Sequence, residues 1–460
     1  MNTILLHPTD VLFFRDGRPM SGSLAGHGAA WPLPNVLNAA LHAALHRAGL
    51  SGVHQHRRGR SGEYQNERDR KFGCLLTAGP FPVCTNGQAQ TWFFPRPADA
   101  DDSGQPVLLP CWERTAGGTP AATLSSLPRP LRHAISNTKP PSKNTPKTWW
   151  SEGAWNAYLG TAQRDQLAAR PFLKSDSNFA DTEHAIGIAI DPATDTTGQG
   201  DAAGKIYSAH YLRLRDGWQL GVLAKAEDKE FQHPQHGNDL VKALLNGGGH
   251  QIIVGGQQRL CTAELQPACG RLPLPLGKTD GFTAHNGRVL VKWVLLSPAV
   301  WPEIQPEPDN HITAQPGGWL PNWVAPDTGA VLLKAGDTAR QAGEGREAWR
   351  KRVRQMSPIS ARLVAALLPK PIVVTGWALG DEAIGEMPGA QSTHLAVPAG
   401  AVYHFETEKD EDARNLAAAL NWHGGTNGTE IKNRRSTLLG EKGFGLGVCG
   451  TWQFLGETPV

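Results

Sequence analysis

The chain has 460 residues, of which 40% are hydrophobic, so it can bury a substantial core and is long enough for two or three domains. Lys and Arg total 45 against 42 Asp and Glu, a net charge of +3, so any nucleic-acid-binding surface must be local rather than a property of the whole chain. Six scattered cysteines contain no Cys-x-x-Cys pair, which argues against a zinc ribbon or a disulfide framework. The N-terminal stretch has no signal-peptide character, and no apolar run is long enough to span a bilayer, so a cytoplasmic protein with no membrane partner is expected.

The first predicted strand covers residues 3–14 and ends in the apolar run Val11, Leu12, Phe13 and Phe14. Arg15, Asp16, Gly17, Arg18 and Pro19 then break it, because Asp-Gly favours a turn and proline cannot donate to a ladder. Two guanidinium forks thus stand at the mouth of a strand, suited to phosphate; an Arg–Asp pair bracing a surface turn is the alternative. Residues 35–48 predict a helix with one apolar face, from Val36 to Ala48, and Gly49 as its stop. His42 and His46 lie on its other face without the HExxH pattern, so solvated histidines are expected rather than a metal site.

Residues 54–71 are basic and suit a mobile loop; Arg57, Arg58 and Arg60 are its candidates for phosphate contact. Residues 72–83 predict a second strand ending in a Pro-Phe-Pro turn, followed by a long irregular insertion at about 95–180. Its Trp149, Trp150 and Trp155 lie near lysines; such aromatics can stack bases, but pinning the insertion to its own domain is the commoner role. Strands are predicted at 185–191, 204–215 and 217–225, a helix at 236–246, and a strand at 250–265 interrupted by Gly255-Gly256, with Arg259 beside it. The pair of glycines marks either a close approach of another backbone or a plain bulge.

The pattern then repeats. Strands are predicted at 288–298, 370–380, 393–406 and 436–452, and helices at 343–356 and 411–421. On 343–356, Arg346, Arg350 and Arg354 line one face, with Trp349, Val353 and Met356 on a core-facing side. The last strand is entered through a loop bearing Gly440, Lys442, Gly443, Phe444, Gly445 and Gly447, where glycines can bring backbone N–H groups close to phosphate; a turn-rich hairpin fits equally well. The loop satisfies neither the P-loop nor the Rossmann pattern. The expected fold is α+β: two fused ferredoxin-like (RRM-like) βαββαβ domains, 1–265 with the insertion and 288–460, joined by a linker at 266–287.

No acidic clusters suggest a two-metal site. His54 and His56 could serve as general acid and base in a metal-free ribonuclease, though nothing nearby fixes their geometry. FFRDGRP at 13–19, EHAIGIAID at 183–191, GKIYSAHYLRL at 204–214 and VGGQQR at 254–259 resemble, in that order, the family of the third subunit of the Cmr complex, a RAMP-superfamily component of the type III-B CRISPR effector. LLSPAVW at 295–301, GGWLP at 317–321, VPAGAVYHF at 397–405 and the glycine-rich loop at 440–447 extend the resemblance. His184 and Gln257 depart from it, standing where the family often carries a basic and an acidic residue.

The resemblance implies a protein with no catalytic activity and no cofactor. It implies a grip on the 5′ handle of crRNA and a bridging position between the large polymerase-like subunit and the first backbone subunit. It assigns Arg15, Asp16, Gly17, Arg18, Gly255, Gly256, Arg259 and the loop Gly440–Gly447 to the handle surface. A metal-free CRISPR repeat-processing endoribonuclease shares the double-domain plan and is the alternative, and a protein-only scaffold is a third reading.

Overall fold

The computed structural model describes residues 1–14, 25–26, 31–50, 74–100, 111–113, 128–135, 147–160, 173–188, 190–191, 193–197, 200, 206–227, 238–306, 313–341, 343–378, 389–390 and 392–454. The fold is mixed α/β, rich in antiparallel sheet.

The first half begins with β1 (Asn2–Pro8), α1 (Pro34–Arg47), β2 (Leu75–Asn86) and β3 (Ala89–Pro95). β4 (Trp149–Ser151), α2 (Glu152–Leu159), β5 (Leu173–Lys174), β6 (Ala180–Ile188), β7 (Ile206–Leu214) and β8 (Trp218–Ala226) follow. α3 (Leu240–Leu245), β9 (His250–Ile253) and β10 (Leu260–Leu265) close it. The main sheet has the order β9-β10-β1-β8-β2-β3-β4-β5, and β6 and β7 form a separate antiparallel arm.

The second half contains β11 (Thr283–His285), β12 (Arg288–Leu295), α4 (Arg346–Gln355), β13 (Ala361–Leu367), β14 (Val402–Thr407), α5 (Asp410–Leu420) and β15 (Gly447–Thr451). Its sheet runs β11-β12-β14-β13, with β15 also paired to β12.

Alternation along the central strands explains how the sheets stack. In β1, Ile4 and Leu6 join the core under α1 and α3, while Leu5 turns to the opposite face. That face is shared: Leu5, Phe81, Val83 and Trp92 of the first half pack with Val294, Leu296, Val402 and Val448 of the second. In β12, Val291, Trp293 and Leu295 face a third core under α5, whose Ala413, Leu416, Ala417 and Leu420 are fully buried. The layers are therefore helix, sheet, sheet, helix. Strands buried on both faces read as apolar runs such as 289–296, broken here only by the buried Lys292. Leu37, Leu41 and Leu45 of α1 are wholly buried, each stabilising the fold by roughly 1.5–3 kcal/mol. Gly49, at φ +73°, ends the helix as its sequence predicts.

Several expectations are corrected. The strand predicted over 3–14 stops at Pro8; Val11 to Phe14 is buried but meets the arm through a single bridge, Leu12 to Leu212. Pro80-Phe81-Pro82 is no turn: β2 runs through it to Asn86, and a register shift opposite Gly221 and Leu223 absorbs the missing donors. The insertion is not irregular throughout, since β4, α2 and β5 extend the main sheet and bury Trp149, Trp150 and Trp155. Residues 250–265 form a hairpin rather than one bulged strand, because the left-handed φ angles of Gly255, Gln257 and Gln258 reverse the chain. Among the described residues of 370–380 only short strands form, at Ile372–Val374 and Trp377–Ala378, outside the main sheets. α4 buries no residue fully; Trp349, Val353 and Met356 are half-buried, and the place over the second sheet is taken by Trp301, Leu320, Val324 and Val331 of an irregular segment. The stretch 266–287 contributes Leu272 and Leu274 to the shared core.

Candidate nucleic-acid interface

The turn between β9 and β10 is built to receive the Val11–Phe14 segment. Gly256 N–H donates to the Phe13 carbonyl at 2.9 Å. A side chain at Gly255 would meet that carbonyl at 2.5 Å and the Phe14 ring at 2.9 Å, so glycine here serves the approach of the protein's own backbone. Arg259 lies over the Tyr211 ring at 4.9 Å, a cation–π contact, and Tyr211 packs on Phe13 at 5.5 Å between centroids. The Tyr211 hydroxyl donates to Gln257 Oε1 at 2.9 Å, and Arg259 Nη2 approaches the same oxygen at 3.3 Å.

Charges continue along the arm. Arg213 is held by Glu183 and by Asp10 at 2.8 Å, Arg215 by Asp181 at 2.6 Å, and Arg259 is 3.8 Å from Asp10. The hydrogen bond to Glu183 raises the affinity of Arg213 for its proton, with Asp10 adding to it. Tyr211, Arg213, Asp10 and Glu183 were missed by sequence reasoning. The signal was the alternation Tyr211-Leu212-Arg213-Leu214-Arg215, which puts the polar residues on one face of a strand.

The loop 440–447 lies at the seam of the two sheets. Its first turn is a short 3-10 helix, Gly440–Lys442, and both glycine and lysine are half-buried. Gly443, Phe444, Gly445 and Gly447 are buried. A Cβ on Gly443 would lie 3.0 Å from the backbone of Thr77 and Ala78, one on Gly445 2.1 Å from Ser436 N, and one on Gly447 2.3 Å from the Trp293 indole nitrogen. These glycines admit neighbouring chain rather than a ligand. Arg434 ties the seam, donating to Thr77 O at 2.6 Å and Gly440 O at 3.0 Å. Arg435 donates to Ala419 O at 2.7 Å. Burial pulls both guanidiniums down to about 10, still protonated at neutral pH. This pair, too, was missed; adjacent arginines just before a glycine-rich loop were its only trace.

The strand registers separate the two glycine segments. Gly443 packs at Thr77, which shares the level of Asn2 through Ala224, whereas the 254–259 turn lies beyond Pro8, at the other end of β1. Three strand spacings and six residue rises put them about 25 Å apart. Arg15, Asp16, Gly17, Arg18, Arg57, Arg58 and Arg60 lie outside the described residues, as do His54 and His56. Residue 15 nevertheless follows directly on Phe14, which packs on Gly255.

Away from solvent, Lys292 Nζ pairs with Asp99 at 2.8 Å and lies 3.9 Å from the centre of the Tyr158 ring, while Tyr158 donates to the same carboxylate. Lys292 belongs to β12 and its two partners to the first half, so this buried triad also crosses the seam. Among the described residues no group of three His, Cys, Asp or Glu side chains is arranged to hold a metal. Among them, too, no helix is long and apolar enough to cross a membrane.

The profile of the CRISPR-associated protein family Cas_Cmr3 matches residues 4–452. The chain belongs to this family. As a Cmr3-family chain it is a subunit of a type III CRISPR effector complex. No curated protein matches it in sequence. A chain of a type III-B Cmr-beta assembly bound to cognate target RNA and AMPPnP is 13% identical, with 87% of this chain and 86% of that chain covered and a TM-score of 0.37. A chain of the Csm3-Csm4 subcomplex of a type III-A interference complex is 11% identical, with 88% and 92% covered and a TM-score of 0.35.

Proposed function

We propose that this Cmr3-family chain is a non-catalytic RNA-binding subunit that grips the 5′ handle of crRNA and bridges the large polymerase-like subunit and the first backbone subunit. The observation that carries this reading is the packing of Phe13 and Phe14 on Gly255 and Gly256. It sets Phe13, two residues before Arg15 in sequence, beside Tyr211, which with Arg259 and Gln257 offers a guanidinium, an aromatic face and an amide. Such groups fix phosphates and read splayed bases. Arg57, Arg58 and Arg60 add phosphate contacts in this proposal, and Gly440 and Lys442 form the rim of the second contact. The buried Gly443, Phe444, Gly445 and Gly447 support that rim from behind.

The double ferredoxin-like plan fits the same reading. In the first half, β1-α1-β2-β8-α3-β10 form the sheet order β10-β1-β8-β2, that of a ferredoxin-like unit, with β3 to β7 inserted. The second half supports it with β12, β13, β14, α5 and β15 but without a helix packed between its first two strands. A bridging role is supported by the arm, where Ile186 is 79% exposed and Ile188 and Ile206 are above half, with Ile190 just beyond it also above half.

The test is filter binding of handle-bearing against scrambled RNA across a salt series. Preference for the handle is expected to persist at high salt and to fall in the Arg15→Ala/Arg18→Ala variant with the melting curve unchanged. Unchanged preference in that variant, or clean metal-free cleavage of repeat RNA, would overturn the reading.

A further inference from the structure

α4 contributes no residue to any of the three cores. Its ten residues carry five cations and one carboxylate, an excess of +4 in a chain whose total is +3. One of the five, Arg352, is spent on structure: it pairs with Glu344 at 2.8 Å and donates to Asp337 O at 3.0 Å and Ala339 O at 2.7 Å. Trp349 adds a bond to Thr338 O at 2.9 Å. These contacts fix the helix to the preceding 337–344 segment. The other four, Arg346, Arg350, Lys351 and Arg354, are exposed, and among the described residues none of them is in an ion pair or a side-chain hydrogen bond. Arg346, Arg350 and Arg354 recur every fourth residue, so their side chains step along one face by about 6 Å.

We infer that this stripe is a second RNA-binding surface, one that takes the phosphate backbone of a single strand without regard to sequence. The inference rests on the reading that the chain binds RNA, and concerns a surface outside the handle site. Two observations favour a polyphosphate over an acidic protein. The stripe presents forked donors at a regular step and no base-reading amide or aromatic group, as a backbone contact requires. It also exposes no large apolar side chain, since Trp349, Val353 and Met356 are turned inward and half-buried, whereas a protein interface needs an apolar centre.

The full-length chain is titrated with a uridine oligomer and with handle-bearing RNA from low to high salt, as wild type and as Arg346→Gln/Arg350→Gln/Arg354→Gln. Glutamine keeps helix propensity, and the three positions bury nothing. Loss of three phosphate contacts lowers the slope of log affinity against log salt by about 2 for both RNAs and leaves the handle preference unchanged. The matching triple lysine variant keeps the wild-type slope. An unchanged slope in the glutamine variant overturns the inference. So does an unchanged slope accompanied by lost co-purification with other subunits, which would make α4 a protein-docking face. A wild-type chain with no handle preference, but a slope that still falls on the uridine oligomer, would overturn the handle reading alone.

Discussion

Two segments of this molecule carry the same sequence mark, glycines set among polar residues, and the fold uses them differently. The 254–259 turn is at the surface, and its glycines receive Phe13 and Phe14. The 440–447 loop is pressed between two sheets, and its glycines let Ser436, Trp293 and the backbone of β2 come close. Glycine announces that something must approach the backbone; it does not say whether a ligand or the chain itself approaches. What separates the cases is the neighbourhood. Around the loop are Arg434, Arg435 and the Lys292–Asp99–Tyr158 triad, all committed to internal partners.

The largest effect should come from adding one methyl group at the seam. Gly445 has φ +76° and its new Cβ would sit 2.1 Å from the Ser436 nitrogen, so backbone must move. Gly445→Ala should destabilise by about 4 kcal/mol or more in urea unfolding. At the turn, Gly256→Ala meets only the edge of the Phe13 ring at 2.8 Å, with no left-handed φ, and should cost about 1 kcal/mol. Equal losses would dissolve the contrast between a packing loop and a surface turn.

Next comes the buried triad. Lys292→Ala leaves Asp99 in a dry site with, among the described residues, only the Tyr158 hydroxyl as side-chain partner, a loss of about 3–5 kcal/mol. Asp99→Asn/Lys292→Met removes both charges and should recover much of it. A double variant as unstable as the single one would mean that shape, not charge, holds the seam there.

A third handle is pH. Burial is the main cause that brings His404 down to about 4, with Asp99 opposing and Lys292 assisting. Its folded value is below the unfolded one, so between about 6.5 and 4 the unfolded chain binds the extra proton. The stability owed to neutral His404 is complete above that window and is lost as pH falls through it, up to about 3 kcal/mol. Urea midpoints at pH 7 and pH 4.5 should differ less in His404→Gln than in wild type. An equal pH dependence would place the acid-sensitive group elsewhere.

Much of this was legible in residues. The apolar face of α1 and its Gly49 stop, the acidic first turn of α5 and the doubly buried run of β12 each followed from spacing and residue type. Other features depended on long-range contact. Nothing local could tell that Pro80 and Pro82 continue a strand, since the compensating register shift lies in residues 221–223. The tryptophans of the insertion pin it to its own domain, the reading favoured from sequence, but that β3 and β4 pair to do so was not visible locally. Arg434 and Arg435 look like surface cations until Thr77, 357 positions earlier for Arg434, supplies its carbonyl.

The smallest effect is the one that bears most on RNA. Arg259 is half-exposed, stacked on Tyr211 and tied to Gln257 and, loosely, to Asp10. Removing it breaks contacts at the surface, so Arg259→Ala should shift stability by about 0.5 kcal/mol or less. On the proposed reading it also removes a charge-assisted bond to RNA, weakening handle binding roughly tenfold. Arg259→Lys restores the charge but not the planar stacking on Tyr211, so it should recover only part of the affinity. If lysine restores all of it, the site senses charge alone and the Tyr211 platform plays no part. If alanine changes nothing in binding, the 254–259 turn is, like the buried Gly443–Gly447 part of the other loop, a device for packing the chain against itself.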